Sequence, residues 1–349
     1  MIYLINQDWP NTSNNHAGIK YLCNKLTEFY PDSFCSLTIS NFNKFSSNLF
    51  LQKIYNVEAK LLFYATLFKL TRRLRKRVKD KDVIFLMEYM DMGFSMTSLA
   101  RKMHNLGITV YAMVHLVPQK LDAIFKTPNI LRKNVDCVDC LFTLGHSLTD
   151  YFVNRGIDVN KVITSFHYVD NYYLNPQPVR KHKLLKVIAM GNQMRNVSVL
   201  KEVVEANPTV SFIICEGVAD LRSYFKYCSN VDLIPFVPEN VLKEKMLEAD
   251  ISLNIMNDTI GSNVIVTSLA MGLAMICSDV GSIHDYCDKT NTIFCCNENV
   301  KSFSSAIAYL ENNRDVLSKM QESASKKALA FSIEKFKSQL LSIQTSNIL

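Results

Sequence analysis

The chain has 349 residues, a length that accommodates two domains more readily than one. Its 48% hydrophobic and 20% charged residues exclude a disordered or fibrous chain, and no uninterrupted apolar run approaches the ~18 residues of a membrane span. The net charge of +7 belongs to the first half: through Asp170 there are 21 Lys and Arg against 14 Asp and Glu, and 18 of each follow.

The opening MIYLINQDWP places four apolar residues directly after Met1 and has neither a basic leader nor a cleavage site. It reads as a first strand, not a signal peptide. From Ile2 to about Asp170 short apolar runs alternate with helical ones. Strands are predicted at Ile2–Asn6, Val83–Met87, Thr109–Val114, Leu141–Leu144 and Val162–Phe166, and helices at Ala17–Phe29, Phe94–Leu106 and Ser147–Asn154. That alternation predicts a parallel sheet with helices on both faces. The loop NNHAGIKYL follows the first strand and starts a helix.

Phe63, Leu67, Leu70, Leu74 and Val78 recur at helical spacing, with Tyr64 and Phe68 widening the stripe. The stretch from Lys69 to Lys81 then carries eight basic residues. Two readings fit: a solvated face with charge favourable to a helix C-terminus, or contact with anionic lipid headgroups. Nucleic acid is not expected as a partner, because no recognition motif is present and the second half is neutral. Cys137 and Cys140 form a Cys-x-x-Cys pair that no second pair completes as a zinc site. The ten irregularly spaced cysteines fit a cytosolic protein with free thiols better than an extracellular framework.

Asn171–Lys183 has two prolines and no periodicity, so it reads as a linker between a domain at 1–170 and a second at 184–349. Strands then resume at Leu185–Met190, Ser211–Cys215, Val231–Ile234, Ile251–Ile255, Ala274–Cys277 and Thr292–Phe294. Helices are predicted at about Val197–Ala206, Val218–Tyr227, Val241–Glu248 and Asn263–Met271, and from Val300 onward. Two doubly wound domains bind ligands at the carboxyl ends of their strands.

Gly261-Ser262-Asn263 joins a strand to a helix of small and apolar residues. Glycine permits a tight turn close to a ligand, Ser or Asn suits the N-cap, and the free N–H groups of the helix start suit a phosphate. Alone, this corner is equally a structural turn.

Asn257 to Tyr286, with Gly261, Ala270-Met271-Gly272 and Ser278-Asp279-Val280-Gly281, resembles the signature region of retaining GT-B glycosyltransferases of family 4. CVDCLFTLGHSLTDYFVNRGIDVNKV, KVIAMGNQMRN and AMVHLVPQKL extend the resemblance over most of the chain; the first sixty residues match loosely. The resemblance implies an α/β GT-B fold, two Rossmann-like domains with a cleft between them. It also implies transfer of a sugar from a UDP- or GDP-sugar to a glycan or lipid-linked acceptor, in surface polysaccharide synthesis, without metal or cofactor. The last helix is then expected to pack back on the N-terminal domain. Together with the cysteine usage, the charge of the basic helix adds its own expectation, a cytoplasmic enzyme peripheral on the inner face of an anionic plasma membrane.

Carried over residue by residue, the resemblance assigns His115 to the donor sugar or to developing charge, and Arg195 to the diphosphate. His16 and Gly18 fall near the diphosphate or acceptor, with helix capping as the alternative. Gly191 and Asn192 follow the first strand of the second domain, and Glu216 falls at the base pocket. Asp258, Thr259, Gly261, Ser262, Asn263 and Thr267 surround the donor. Asp279 and Gly281 read as turn residues. The family's paired glutamates are here Thr259 and Thr267; the second ordinarily accepts ribose hydroxyls, which a carboxylate does more strongly. That substitution keeps a second reading open, a non-catalytic nucleotide-sugar or partner-binding protein on the same fold. An epimerase is disfavoured, because it needs convergent acid–base groups.

Overall fold

A computed structural model describes residues 1–346 apart from 10–11, 13–14, 41, 43, 45, 91–94 and 176–183. The chain divides into two compact units, Met1–Phe166 with the C-terminal residues from Phe336, and His167–Lys335. The division falls four residues before the expected boundary, and most of the expected linker lies outside the described residues.

The first unit runs β1 (Ile2–Gln7), α1 (Ile19–Phe29), β2 (Phe34–Ile39), α2 (Leu49–Arg77), β3 (Val83–Tyr89), α3 (Thr97–His104) and β4 (Thr109–Val114). It continues α4 (Pro118–Ile124), α5 (Pro128–Val135), β5 (Cys140–Thr143), α6 (His146–Asn154) and β6 (Val162–Thr164). Its six-stranded parallel sheet is ordered β2-β1-β3-β4-β5-β6. β1 and β3 are buried along their whole length, as expected of parallel strands covered on both faces. Phe85, Tyr111 and Phe142 pack across neighbouring strands, the Phe85 and Phe142 rings 4.8 Å apart.

The sequence patterns did not mark β2, an edge strand whose mixed burial leaves it without the long apolar run of its neighbours. They also missed the short helices α4 and α5, both of which start at a proline in the first turn, where its missing N–H costs nothing. Cys137 and Cys140 are free buried thiols.

The basic helix differs most from expectation. α2 is 29 residues long and opens at Asn48, whose side chain accepts the amides of Phe50 and Leu51. Ala59, Phe63, Leu67, Leu70 and Leu74 are buried, but Tyr64 and Phe68 are exposed and belong to a separate stripe. The helix ends at Arg77, so Lys79 and Lys81 lie beyond it.

The second unit runs β7 (Lys186–Ala189), α7 (Val197–Ala206), β8 (Ser211–Cys215), α8 (Arg222–Phe225), β9 (Val231–Ile234), α9 (Glu239–Leu247) and β10 (Ile251–Asn254). Then come α10 (Asn263–Ala270), β11 (Ala274–Ser278), α11 (Ile283–Tyr286), β12 (Thr292–Cys295), α12 (Val300–Asn312), α13 (Arg314–Ala328) and the start of α14 (Ile333–Ser346). Its parallel sheet is ordered β12-β11-β10-β7-β8-β9. Val187, Ile214, Leu253 and Ile276 form the core with Val203, Phe303, Ile307 and Leu310 from α7 and α12. From Phe336, α14 belongs to the first unit, where Gln339 donates to the Thr164 carbonyl and accepts from Ser165.

Each sheet reverses its winding once: between β1 and β3 in the first unit, and between β7 and β10 in the second. Open α/β sheets bind ligands at such reversals, outside the carboxyl ends of the strands. The two loop sets that follow these strands are therefore the candidate binding positions.

Candidate functional site

In the second unit the loops after β7, β8 and β10 are knitted together. The Asn257 amide donates to the Met194 carbonyl (2.8 Å), the Asn196 amide to Ile255 (2.9 Å), and Arg195 bridges to Met256. Gly191 has φ +77°, and a Cβ there would lie 2.7 Å from Val264 in the first turn of α10. Gly217, φ +60°, lies against the Asn192 side chain, 2.5 Å from the place of a Cβ. These two glycines are what let the β7 loop touch both the β8 loop and the start of α10.

α10 itself is fixed to the sheet by buried hydroxyls. Ser268 donates to Ser252 (2.8 Å), which accepts in turn from Asn254 (3.0 Å). Ser262 caps the helix by accepting the Ile265 amide. The remaining first-turn amides have no intrahelical acceptor, so the helix start presents donors and the positive end of its dipole.

The turn before it is closed from within. Thr259 is buried, its hydroxyl accepts the Gly261 amide (3.1 Å), its amide donates to Asp258 (2.7 Å), and its carbonyl accepts from Ser282 (2.7 Å). Gly261, φ +91°, leaves no room for a side chain, since a Cβ would sit 2.2 Å from the Tyr286 ring. Tyr286 is held by stacking on Phe331 and by the His167 amide (2.9 Å). Gly281, φ +52°, packs equally closely under Thr259 and Asp258. Burial raises the Asp258 carboxyl above its usual range, partly opposed by its bond from the Thr259 amide.

Two polar atoms at this reversal are buried without a hydrogen-bond partner: Nη2 of Arg195 and Oδ1 of Asn263. Nη1 of Arg195 donates to the Cys215 carbonyl (2.9 Å), and among the described residues no carboxylate pairs with the guanidinium. Burial lowers its pKa to about 10. The charged form is thus disfavoured in the folded protein, and below that pH the whole cost is present. An uncompensated buried cation is expensive, and an anion is what relieves it. The Asn263 oxygen lacks a donor of the kind a hydroxyl supplies.

Glu216, assigned by the resemblance to the base pocket, closes the turn after β8: its carboxylate accepts the Leu221 amide (2.7 Å). Thr267, one helical turn into α10, is half-buried.

The first unit's reversal has the opposite chemistry. Buried Glu88, at the end of β3, accepts the Gln7 amide (2.6 Å) and the indole N–H of Trp9 (2.5 Å), while Lys20 pairs with Asp8. Neither Glu88 nor Trp9 carried a signal in the sequence, because one carboxylate in an apolar strand looks like any other. His115, at the end of β4, donates from Nε2 to the Met87 carbonyl (2.7 Å), which fixes that nitrogen as the protonated one. His16 packs on the Tyr21 ring at 4.6 Å, and Gly18 is the N-cap of α1, closely approached by the Thr12 carbonyl. The residues predicted as one site thus fall into two sets: His16, Gly18 and His115 in this unit, the others in the second.

No family model and no curated protein matches the chain. Solved structures do. A glycosyltransferase from Rickettsia africae superposes with a TM-score of 0.70 at 11% identity, covering 99% of this chain and 97% of that one. HepE from Anabaena in complex with UDP-glucose gives 0.71 at 12%, covering 99% of each. Sucrose-phosphate synthase from Thermosynechococcus elongatus gives 0.72 at 11%, covering 99% and 98%. The chain has the GT-B fold along its whole length.

Proposed function

We infer that the protein is a glycosyltransferase that binds a nucleotide-diphosphate sugar in its second unit and transfers the sugar to an acceptor. The observation that carries this is the half-buried guanidinium of Arg195, whose Nη2 is sealed from solvent without a partner and which the β7 loop brings to the start of α10. A diphosphate satisfies both, since the helix start supplies amide donors and Arg195 supplies charge. As the sugar–phosphate bond breaks, negative charge accumulates on the departing diphosphate, where these fixed donors act without reorganisation. Likeness in fold to HepE, a protein crystallised with UDP and UDP-glucose, supports the same reading.

The finer terms rest on the sequence resemblance to family 4: a UDP- or GDP-linked hexose donor, retention at the anomeric carbon, and a glycan or lipid-linked acceptor in surface polysaccharide synthesis. Thr267 then lies where a ribose contact belongs, and the Asn263 oxygen takes a hydroxyl of the donor. Glu216, Thr259 and Gly281 shape the turns around the nucleotide.

The threonines at 259 and 267 favour a second reading, a nucleotide-sugar-binding protein without turnover. Incubation with a panel of UDP- and GDP-sugars separates the two, with thermal stabilisation and nucleotide release as readouts. Transfer predicts stabilisation by one nucleotide class and release of that nucleotide when an acceptor is present. Stabilisation without release supports the binding protein, and stabilisation by no nucleotide defeats both.

A further inference from the structure

α2 carries a second apolar stripe that none of the described residues covers. Phe50, Ile54, Val57, Leu61, Tyr64 and Phe68 follow one another at spacings of four, three, four, three and four. Each is between 41% and 71% exposed, on the side of the helix away from buried Phe63, Leu67, Leu70 and Leu74. Six large exposed side chains in one line exceed the scattered apolar residues of an ordinary surface. At its C-terminal end the same face continues as Arg72 and Arg75, with Lys69 and Lys76 beside them, all exposed. The Arg72 guanidinium and the Lys102 ammonium of α3 both lie within 6 Å of the Phe68 ring, so the apolar line ends in cations.

A second copy of this chain fits the stripe poorly. α2 holds eight basic residues and one acidic residue, Glu58, which Lys44 already engages at 2.9 Å. Parallel pairing sets Arg72 and Arg75 against themselves, and antiparallel pairing sets them opposite Phe50 and Ile54. Neither offers a counter-charge. A bilayer bearing anionic headgroups supplies both halves, an acyl boundary for the apolar line and negative charge for its basic end. Among the described residues no helix is long and apolar enough to cross a membrane, so the mode is attachment along the surface.

We propose that α2 lies in the interface of an anionic lipid bilayer, with the Phe50–Phe68 line inserted at the acyl boundary and Arg72, Arg75 and Lys76 on the headgroups. This extends the charge-based expectation to an inserted surface and stands apart from sugar transfer, since the measurement contains no nucleotide. The test is co-sedimentation of the full chain with phosphatidylcholine vesicles and with equimolar phosphatidylcholine–phosphatidylglycerol vesicles, at about 50 mM and about 500 mM salt. Binding to the anionic vesicles exceeds that to the neutral ones about tenfold and falls severalfold at high salt. Val57→Glu/Leu61→Glu reduces it about tenfold at both salts, whereas Arg72→Glu/Arg75→Glu removes the salt-sensitive part. All four positions are exposed, so far-ultraviolet circular dichroism and melting of both variants match the parent. Equal binding of the parent to both vesicle types overturns the proposal without recourse to any variant. So does full binding by a folded Val57→Glu/Leu61→Glu protein. A dimer in light scattering that this variant converts to monomer assigns the stripe to a second copy instead.

Discussion

Two six-stranded parallel sheets in one chain place opposite chemistry at the same topological point. At the first reversal a buried carboxylate, Glu88, is satisfied by an amide and an indole of its own unit. At the second the half-buried Arg195 has a carbonyl at one guanidinium nitrogen and, among the described residues, no partner at the other, which is sealed from solvent. The Glu88 carboxylate is satisfied as it stands, although Asn6 Oδ1 and Gln7 Nε2 beside it are buried without partners. At Arg195 it is a positive charge that lacks its counterpart, and we propose that an anion supplies it. A shared topology thus fixes where a site can form, and the charge left unbalanced there decides what it takes.

The largest expected effects break the second reversal. Gly261→Ala drives a Cβ into the Tyr286 ring at a φ of +91° and costs about 2–4 kcal/mol, read as a lowered denaturant midpoint. Loss of nucleotide stabilisation accompanies it. Arg195→Met removes the anion's partner and weakens UDP binding about a hundredfold, by calorimetry. The same change raises the melting temperature of the ligand-free protein by a few degrees at pH 7. Relief of the burial penalty, about 3 kcal/mol from the depressed pKa, exceeds the ~1 kcal/mol of the bond to Cys215. A fall in melting temperature would show that the guanidinium is already satisfied.

An intermediate effect isolates the first reversal. Glu88→Gln turns an amide nitrogen toward one of two donors and destabilises by about 1–3 kcal/mol. Trp9 is the single tryptophan of the chain, so its emission reports this change directly, while UDP affinity is unaltered. A parallel loss of UDP affinity would erase the contrast between the two reversals. The smallest effect sharpens the donor site: Thr267→Glu tightens UDP binding severalfold if the ribose lies beside it. Unchanged affinity removes the ribose from that position.

Much of the fold was legible in the residues. The apolar runs of β1, β3, β4, β7, β8 and β10 are buried on both faces and stand out as short hydrophobic blocks, and Gly261-Ser262-Asn263 does form a cap. What escaped was whatever depends on partners distant in sequence. β2 is a strand because β1 lies beside it. α2 has two apolar stripes, of which the heptad-like spacing marks both and only tertiary packing selects the buried one. Thr259 and Glu216 hold turns through amides two and five residues on, a task that side-chain identity alone does not announce. The isolation of Arg195 is a statement about everything around it, and no local pattern contains that.

The central claim is that Arg195 and the start of α10 read a diphosphate. Calorimetric titration with UDP and with uridine, on the parent protein and on Arg195→Met, tests it most directly. The parent is expected to bind UDP at least about a hundredfold more tightly than uridine, and the variant to lose most of that ratio while its uridine affinity stays the same. A variant that keeps the full preference for UDP would contradict the account.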